Sequence, residues 1–585
     1  MIFNLFKLNG NNKWQLVTAF ALFGVTLGLV LITPALKNMI ISDPSYLGKS
    51  DHSSQVNNAR EINNSDLSKS KFSLGTNLNP VADYSTELPF LNAFKSSRKW
   101  MTQAKGSWNT NEYEKLDLDE RGWVKSLPSP EDSAEYAYVG TLLRREIGGH
   151  YPGGKYVVLY NGKGDLEYGF DANKNGAQST PGRDVIEVTP SNAGIHLKIT
   201  STDPNQTGNY IRNIRVVPAE YEKTYQSQIF NPKFIDKIKK FKALRFMDWM
   251  GTNDSKQSKW ANRPKIEQAS YAYGGGVPIE LMVELANRLE VDPWFTMPHK
   301  ATDEYLTNFA QLVKDSLDPN LTIHLEYSNE VWNAQFEQFS WVKDNGPVSG
   351  GKTPYQPYGV RAAQMCDIWK GVFGEESNRV KCIMGTQTAN SWVAKQVLNC
   401  ERWEESPCYK HGIDALTITG YFSGKLGKPR YESTIESWID NPNIDEFEKA
   451  LTQLEDGSVL DTEGNNTEDM VNYFNEYSKM AKDKGLELVA YEAGSHVVGN
   501  GKVIHNEKIT EFFVELHTQP EFYDRYMEML EAWKDSQGRR GLFMHFTDIT
   551  KHSKWGSWGA LEYVDQDSSP RYDALIDFID RNFPA

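Results

Sequence analysis

The second half of the chain alternates between predicted helices and predicted strands, and this alternation limits the possible folds. After residue 221, segments with helical spacing are each followed by a short apolar segment rich in β-branched residues. Strands separated by helices pair in parallel through right-handed crossovers. Eight strands result if residues 74–79 supply the first, so the sequence predicts an α/β fold, a (β/α)8 TIM barrel. The predicted strands are 74–79, 242–248, 293–298, 321–328, 379–385, 415–420, 486–491 and 541–546.

The segment between the first and second predicted barrel strands has a different residue pattern. Residues 72–104 read as the first strand and helix of the barrel, with the helix at 89–101. Residues 105–220 contain short alternating segments between Gly, Asn, Asp and Pro turns, which is typical of an antiparallel β-sandwich. We therefore predict an accessory β-sandwich inserted into the barrel, whose remainder is 221–585. The alternative is an independent N-terminal β-domain followed by a complete barrel.

The N-terminus carries a targeting signal. Lys7 and Lys13 precede an apolar run at 16–32, whose 17 residues are at the short end for spanning a bilayer. Residues 1–37 are predicted to be a transmembrane signal anchor, favoured over a cleaved signal peptide because no good cleavage site follows. Residues 38–71 are polar and read as a flexible linker. The rest is then extracytoplasmic, at the cell surface or in the periplasm, or secreted if the segment is cleaved.

Charge and cysteine content restrict the partners. The net charge of −14 argues against a nucleic-acid partner, since phosphate binding needs a basic surface. The four cysteines are Cys366, Cys382, Cys400 and Cys408; pairing 400–408 is favoured, 366–382 is the second pair, and all three pairings stay open. A zinc site is disfavoured because no CxxC spacing is present. No metal or organic cofactor is implied, and the oligomeric state stays open.

Polar side chains follow most of the predicted barrel strands. Active sites of TIM barrels lie at the carboxyl ends of the strands. The fourth strand ends in Asn329-Glu330 and the seventh in Glu492. Strands four and seven are nearly opposite in an eight-strand ring, so the two carboxylates can face one cleft. The other candidates at this rim are Arg245, Asp248, Trp249, His299, Trp332, Gln387, Tyr421, His545, Asp548, Trp555 and Trp558.

Two facing carboxylates suit hydrolysis of a glycosidic bond. One must be protonated to donate to the leaving oxygen, and the other must be ionised to attack the anomeric carbon. A carboxyl separation of roughly 5–5.5 Å would imply retention of configuration, and roughly 6.5–9.5 Å would imply inversion.

These strand ends resemble those of the clan A glycoside hydrolases, the retaining TIM-barrel group, over about 72–104 and 221–585. The resemblance implies that Glu330 is the general acid/base and Glu492 the nucleophile. It implies that Asn329 holds the sugar 2-hydroxyl and that Arg245 and Tyr421 contact the nucleophile. Either Trp558 or Trp555 would form the platform under the sugar. The implied activity is endo-acting cleavage of β-glycosidic bonds in a polysaccharide such as a β-glucan.

The remaining candidates for binding substrate are His299, His545, Trp249 and Trp332. Each also has an ordinary structural reading: a core histidine, or a tryptophan packed in the interior. Whole-protein alternatives are a non-catalytic glycan-binding or cell-surface assembly protein on a degenerate barrel, and a polysaccharide lyase. A lyase would need a Tyr or Lys base and a neutralised uronate.

Overall fold

A computed structural model describes residues 72–129, 132–348, 351–460, 465–538 and 541–582. Sixteen strands lie in these ranges. They are β1 Ser73–Asn77, β2 Met101–Gln103, β3 Tyr138–Leu143, β4 Gly154–Asn161, β5 Gly164–Phe170, β6 Ala172–Lys174, β7 Arg183–Val188, β8 Ile195–Thr202, β9 Arg212–Pro218, β10 Ala243–Arg245, β11 Asp292–Met297, β12 Ile323–Tyr327, β13 Val380–Gly385, β14 Ile413–Phe422, β15 Glu487–Ser495 and β16 Leu542–His545.

Twelve α-helices lie in the same ranges. They are α1 Pro232–Ile238, α2 Ile279–Leu289, α3 Asp303–Ser316, α4 Glu337–Asn345, α5 Tyr355–Phe373, α6 Ser391–Asn399, α7 Glu432–Asp440, α8 Glu446–Glu455, α9 Thr467–Lys482, α10 Glu507–Leu516, α11 Phe522–Ser536 and α12 Pro570–Asn582.

Eight parallel strands close into a barrel in the order β1-β10-β11-β12-β13-β14-β15-β16. The first strand closes the ring: Thr76 pairs with Leu244 on one side and with His545 on the other. The barrel is therefore the predicted TIM barrel, with helices in its crossovers. Each helix buries one face; in α3 that face includes Tyr305, Phe309 and Val313, and Thr302 caps its amino end by accepting from the Tyr305 N–H.

The strands between β1 and β10 form two four-stranded antiparallel sheets, ordered β2-β3-β8-β5 and β6-β7-β4-β9. Because β1 belongs to the barrel and precedes them in the chain, these sheets interrupt the first β/α crossover. An independent β-domain that precedes a complete barrel is thereby excluded. The polar segment 171–176 contains β6, which pairs with β7.

One helix prediction was wrong. The segment 89–101 contains only a 3-10 turn at Ala93–Ser96, and β2 begins at Met101. Its apolar residues lie at helical spacing, but they are buried from several sides: Phe90 forms a bridge with Phe230, and Phe94 stacks on Trp123. Tertiary contacts therefore override the local pattern, and α1 provides the crossover helix of the first barrel unit.

Two disulfides, Cys366–Cys382 and Cys400–Cys408, confirm the predicted pairing. The first joins α5 to β13, so it ties the helical layer to the barrel. Within the described residues, no helix has the length and apolar character to cross a bilayer. The predicted signal anchor at 1–37 and the linker at 38–71 lie outside the described residues.

Candidate active site

Arg245 lies inside the barrel and links four strand ends. It is the last residue of β10 and its side chain is fully buried. Nη1 donates to Glu492 Oε1 at 2.9 Å and to Asn77 Oδ1 at 3.0 Å. Nη2 donates to Glu326 Oε2 and Asn329 Oδ1, both at 2.8 Å. The guanidinium thus holds side chains from β1, β12 and β15 in one cluster, with charge-assisted bonds on two carboxylates.

A β-bulge brings two consecutive residues of β15 to the site. In the pairing of β14 with β15, Ile418 lies opposite Ala490 but Thr419 lies opposite Glu492, so Tyr491 is the extra residue. Successive side chains in a regular strand point to opposite faces, whereas a bulge changes that alternation. Here Tyr491 and Glu492 both contact the cluster: the Tyr491 ring lies 5.1 Å from the Arg245 guanidinium.

Glu330 follows β12 in a turn of unusual backbone conformation. Both Ser328 and Glu330 have positive φ, 60° and 43°. Such angles are uncommon outside glycine and often mark functional sites. The Glu330 carboxyl accepts from Tyr491 Oη at 2.7 Å and from Asn333 Nδ2 at 2.9 Å, and only 6% of the residue is exposed. Tyr491 therefore connects the strand that carries Glu492 to the carboxyl of Glu330.

The two carboxyl groups have different electrostatic surroundings. Burial, and next the charge of Glu492, raise the pKa of Glu330 to about 8. Burial also raises the pKa of Glu492, but Arg245 and Tyr421 oppose that rise, and Tyr421 Oη donates to Glu492 Oε2 at 3.0 Å. When the pair shares one proton, that proton therefore resides on Glu330. Burial raises the pKa of the neighbouring Asp248 to about 7, with the charge of Glu492 as the next cause.

Asn329 is held by neighbours on three sides. Besides accepting from Arg245, its Nδ2 donates to Asn253 Oδ1 at 3.1 Å. Its backbone carbonyl accepts from Gln338 Nε2 at 2.8 Å, and the same amide group donates to Asn253. The polar turn after β12 is therefore fixed by the loop after β10 and by α4.

Aromatic rings surround Tyr421 at the carboxyl end of β14. The Trp558 ring centroid lies 6.0 Å from that of Tyr421, and His496 lies 5.5 Å from Tyr421 and 5.4 Å from Trp558. Burial lowers the pKa of His496, and its Nε2 has no hydrogen-bond partner among the described residues. Trp558, one of the two predicted platform residues, thus contacts Tyr421, which donates to Glu492. Trp555 accepts through its carbonyl from Trp558 Nε1 at 3.1 Å and is half-buried.

Two predicted substrate-binding residues lie in the core, and their assignment is corrected. Trp249 is fully buried, its ring packs near Phe90 and Phe234, and its Nε1 donates to the carbonyl of Asn79. His545 lies beside Tyr526 of α11, at 3.2 Å between Nε2 and Oη. The neighbouring Met544 belongs to the apolar cluster inside the barrel, so strand alternation turns His545 toward the helical layer.

Two other candidates lie near the turn after β12. Trp332 is half-buried, and its Nε1 has no hydrogen-bond partner in the described part of the chain. His299 is 1% exposed, both its ring nitrogens are likewise unpartnered there, and it meets Trp341 edge to face at 5.5 Å. Burial lowers the pKa of His299 to about 4, so it is neutral at physiological pH. The interactions described for Trp332 and His299 include no contact with Glu330 or Glu492.

Sequence reasoning missed several members of the cluster. Glu326 lies within β12 and points into the barrel, where Trp294 Nε1 donates to its Oε2 at 3.0 Å. A charged residue at alternating register in an otherwise apolar strand was a usable signal for it. Tyr491 carried no such signal, because its orientation depends on the bulge. Asn77 and Asn333 belong to loops or strand ends whose neighbours only the fold decides.

Among the described residues, no group of His, Cys, Asp and Glu is arranged to hold a metal ion. Around Arg245, the described polar centre of the barrel includes the carboxyl groups of Glu326, Glu330 and Glu492, and amides, phenols and the Trp294 indole donate to them.

Fold and site together define a (β/α)8 barrel in which Glu330 follows β12, the fourth strand of the ring, and Glu492 lies in β15, the seventh. No protein-family model matches the sequence, and no curated protein matches it. The solved structures that align with the chain include glycoside hydrolases. Native xylanase 10B from Thermotoga maritima is 10% identical, with a TM-score of 0.33 over 60% of this chain and 90% of the xylanase. A GH51 arabinofuranosidase from Xanthomonas axonopodis pv. citri is 10% identical, with a TM-score of 0.34 over 60% and 66%.

A modular endo-beta-1,4-mannanase of glycoside hydrolase family 26 from Cellulomonas fimi is also 10% identical. Its TM-score is 0.30, over 57% of this chain and 62% of the mannanase. Likeness at this level does not extend to substrate or mechanism, which have to be argued from the site itself.

Proposed function

We propose that this protein is a retaining glycoside hydrolase that cleaves β-glycosidic bonds within a polysaccharide. One observation carries the proposal: two buried carboxyl groups of the same kind, Glu330 and Glu492, stand in opposite electrostatic settings. Glu330 has no cationic hydrogen-bond partner among the described residues and an elevated pKa, whereas Glu492 contacts a guanidinium. A protonated acid beside an ionised carboxylate is the requirement for this chemistry.

The first step breaks the glycosidic bond. Glu330 donates its proton to the glycosidic oxygen while a carboxylate oxygen of Glu492 attacks the anomeric carbon. The leaving chain departs as a neutral alcohol, and the sugar is held as an ester of Glu492. In the second step Glu330, now ionised, takes a proton from water. The resulting hydroxide attacks the same carbon and releases Glu492, so two inversions give net retention.

The surrounding residues position the reacting groups. Arg245 and Tyr421 occupy one oxygen each of Glu492, which fixes the plane of the carboxylate and favours its ionised form. Asn329 precedes Glu330 in the chain and shares the Arg245 guanidinium with Glu492, and its amide is assigned to a sugar hydroxyl. Trp558 offers a ring beside Tyr421 on which a pyranose face could stack.

Glu330→Gln and Glu492→Gln test the proposal on a panel of β-glucans, xylans and mannans. Each change should lower kcat/KM by at least about a thousandfold while the far-ultraviolet circular dichroism is unchanged. Glu304→Gln, on the exposed face of α3, is the matched control and should retain full activity. Full activity in either site variant would refute the assigned role.

An activated aryl glycoside separates the two roles. A leaving group that needs no protonation should restore the first step in Glu330→Gln but not in Glu492→Gln. Proton NMR of the first product should show the β anomer, and product sizing should show oligosaccharides. An unsaturated, ultraviolet-absorbing product would indicate a lyase instead.

We also place this protein outside the cytoplasm. Its two disulfides support export, since disulfides persist in oxidising compartments. Protease accessibility in intact cells, with and without residues 1–37, tests both the export and the proposed anchor.

A further inference from the structure

We propose a second glycan-binding site on the outer face of the sheet β2-β3-β8-β5, centred on Trp108 and Phe170. Its ligand is a polysaccharide chain of the class cleaved at Glu330 and Glu492, so the choice of ligand rests on the proposed function. Trp108, Phe170 and His196 are called the aromatic platform below.

The aromatic platform combines large rings with unusual exposure. Trp108 and Phe170 are each 48% exposed, and their ring centroids lie 5.4 Å apart with 25° between the planes. His196 of β8 lies beneath both, at 4.8 Å from Trp108 and 5.4 Å from Phe170. Burial lowers the pKa of His196 to about 4, so the imidazole is neutral and its Nε2 can donate to Gln103 Oε1, 3.2 Å away.

Phe170 is held in an unfavourable backbone conformation. Its φ is +58°, which a bulky residue rarely adopts. The next residue, Asp171, is 7% exposed and accepts from Tyr151 Oη at 2.5 Å, Ser191 N at 2.8 Å and Gly194 N at 2.9 Å. A buried carboxylate with these donors fixes the turn, and the turn directs an apolar ring toward solvent. Stability alone would favour glycine or asparagine at this position, so the ring has another use.

Glycine keeps the floor of the aromatic platform open. A Cβ at Gly140 would lie 2.4 Å from Gln103 Oε1 and 2.5 Å from His196 Nε2. Gly169 lies directly opposite His196 in the pairing of β5 with β8. Because Gly140 has no side chain, the histidine and the amide can pack side by side under the two exposed rings.

Polar groups on the same face suit a sugar. Lys198 of β8 forms an ion pair with Glu167 at 2.7 Å, and its ammonium lies 4.6 Å from the centroid of Tyr138. A pyranose presents an apolar C–H face to rings and hydroxyls to such polar groups. The exposed rings cover only roughly 200 Å², whereas a stable protein interface needs about 800 Å² from each partner. The occupant is therefore a glycan rather than a second protein.

The aromatic platform is joined to the rim of the barrel that carries the catalytic cleft. The guanidinium of Arg145 lies 5.6 Å from the Phe170 ring centroid. The adjacent Glu146 accepts through its carbonyl from Lys551, in the loop after β16 that also carries Trp555 and Trp558. A polysaccharide held on the platform is thus kept beside the cleft, which raises its effective concentration there.

The test is depletion of the full-length protein by microcrystalline cellulose, insoluble xylan and insoluble mannan. Every protein tested, including the parent, carries Glu492→Gln, so that no polysaccharide is hydrolysed during the measurement. Trp108→Ala and Phe170→Ala should each weaken binding to the retained polysaccharide about tenfold or more. Trp108→Tyr should restore most of it. Tyr523→Ala, which removes a partly exposed ring from the outer helix α11, should bind as the parent does.

Kinetics with Glu492 intact separate this inference from the proposed function. Trp108→Ala should leave hydrolysis of a short soluble aryl glycoside within about twofold, because the platform lies outside the catalytic cluster. Turnover of the insoluble polysaccharide should fall with its binding. Parent-like binding of both Trp108→Ala and Phe170→Ala, each in the Glu492→Gln background, to all three polysaccharides would overturn the inference and leave the hydrolase standing. A parent that binds none of them, or platform variants that alter only self-association in sedimentation, would overturn it as well.

Discussion

Two glutamates of identical chemistry differ at this site through the groups that surround them. Glu330 is bonded only by a phenol and an amide among the described residues, while Glu492 shares a guanidinium with Glu326. Since a buried charge is costly unless it is paired, the proton goes to Glu330. These different contacts support the proposed division of roles between the two carboxyl groups.

The pH dependence follows from Glu330. In the proposed mechanism its protonated form donates to the leaving group, so activity should fall as pH rises through its pKa of about 8. The hydrogen bond from Tyr491 favours the carboxylate and holds that pKa down. Tyr491→Phe should therefore move the basic limb of kcat/KM to higher pH, with a change of less than about tenfold at neutral pH. An unmoved or acid-shifted limb would contradict this role.

Tyr421→Phe removes the phenol that donates to Glu492 Oε2 but keeps the ring beside Trp558. A hydrogen bond to a charged group contributes about 1.5–3 kcal/mol, so kcat should fall about 10- to 100-fold. KM should change little, because the ring surface is retained. A change confined to KM would place Tyr421 in substrate binding instead.

At the scale of the elements, β10 ends in an arginine that neutralises carboxylates from β12 and β15. Arg245→Met would leave Glu326 and Glu492 buried without a cation. Removal of one partner from a buried ion pair costs about 3–5 kcal/mol, so urea unfolding should show a loss of that size. Arg581→Met, in α12, is the control; its side chain is 59% exposed and the change should be under about 0.5 kcal/mol.

The disulfide between α5 and β13 restrains the unfolded chain. Replacement of both Cys366 and Cys382 by serine should lower the free energy of unfolding by about 3 kcal/mol, the loop-entropy expectation for residues 16 apart. Urea titration of the parent and the double variant, with and without a reductant, measures this change in the free energy of unfolding. The reductant should destabilise the parent more than the double variant, and equal effects would contradict the prediction.

At the scale of the whole molecule, the barrel and the inserted antiparallel sheets share one apolar core. Buried residues of the sandwich, such as Leu197, and of the barrel, such as Leu244, belong to one contiguous cluster. Because the chain leaves the barrel after β1 and returns at β10, neither part is complete without the other. Calorimetry should accordingly show a single cooperative unfolding transition. Two separated transitions would show that the sheets unfold independently.

The barrel was predictable because each helix and strand has its own periodicity, and β11 to β16 lie within a few residues of their predicted positions. The helix at 89–101 failed because its apolar residues pack against distant parts of the chain. The three helices α4, α7 and α8 were also missed, since they lie in long loops after β12 and β14 and form no part of the repeating pattern.

Local patterns determined the alternation of elements and the polar residues at the strand ends, because these depend on neighbours in the chain. The cysteine pairing was one of three that the sequence left open, and the fold decided it. Tertiary structure alone decided which polar groups meet. The bulge in β15 turns Tyr491 toward Glu330, the register of β16 turns His545 toward α11, and Trp249 packs in the core against Phe90 and Phe234. Orientation and burial arise from contacts between residues far apart in sequence, and a one-residue change of register reverses them.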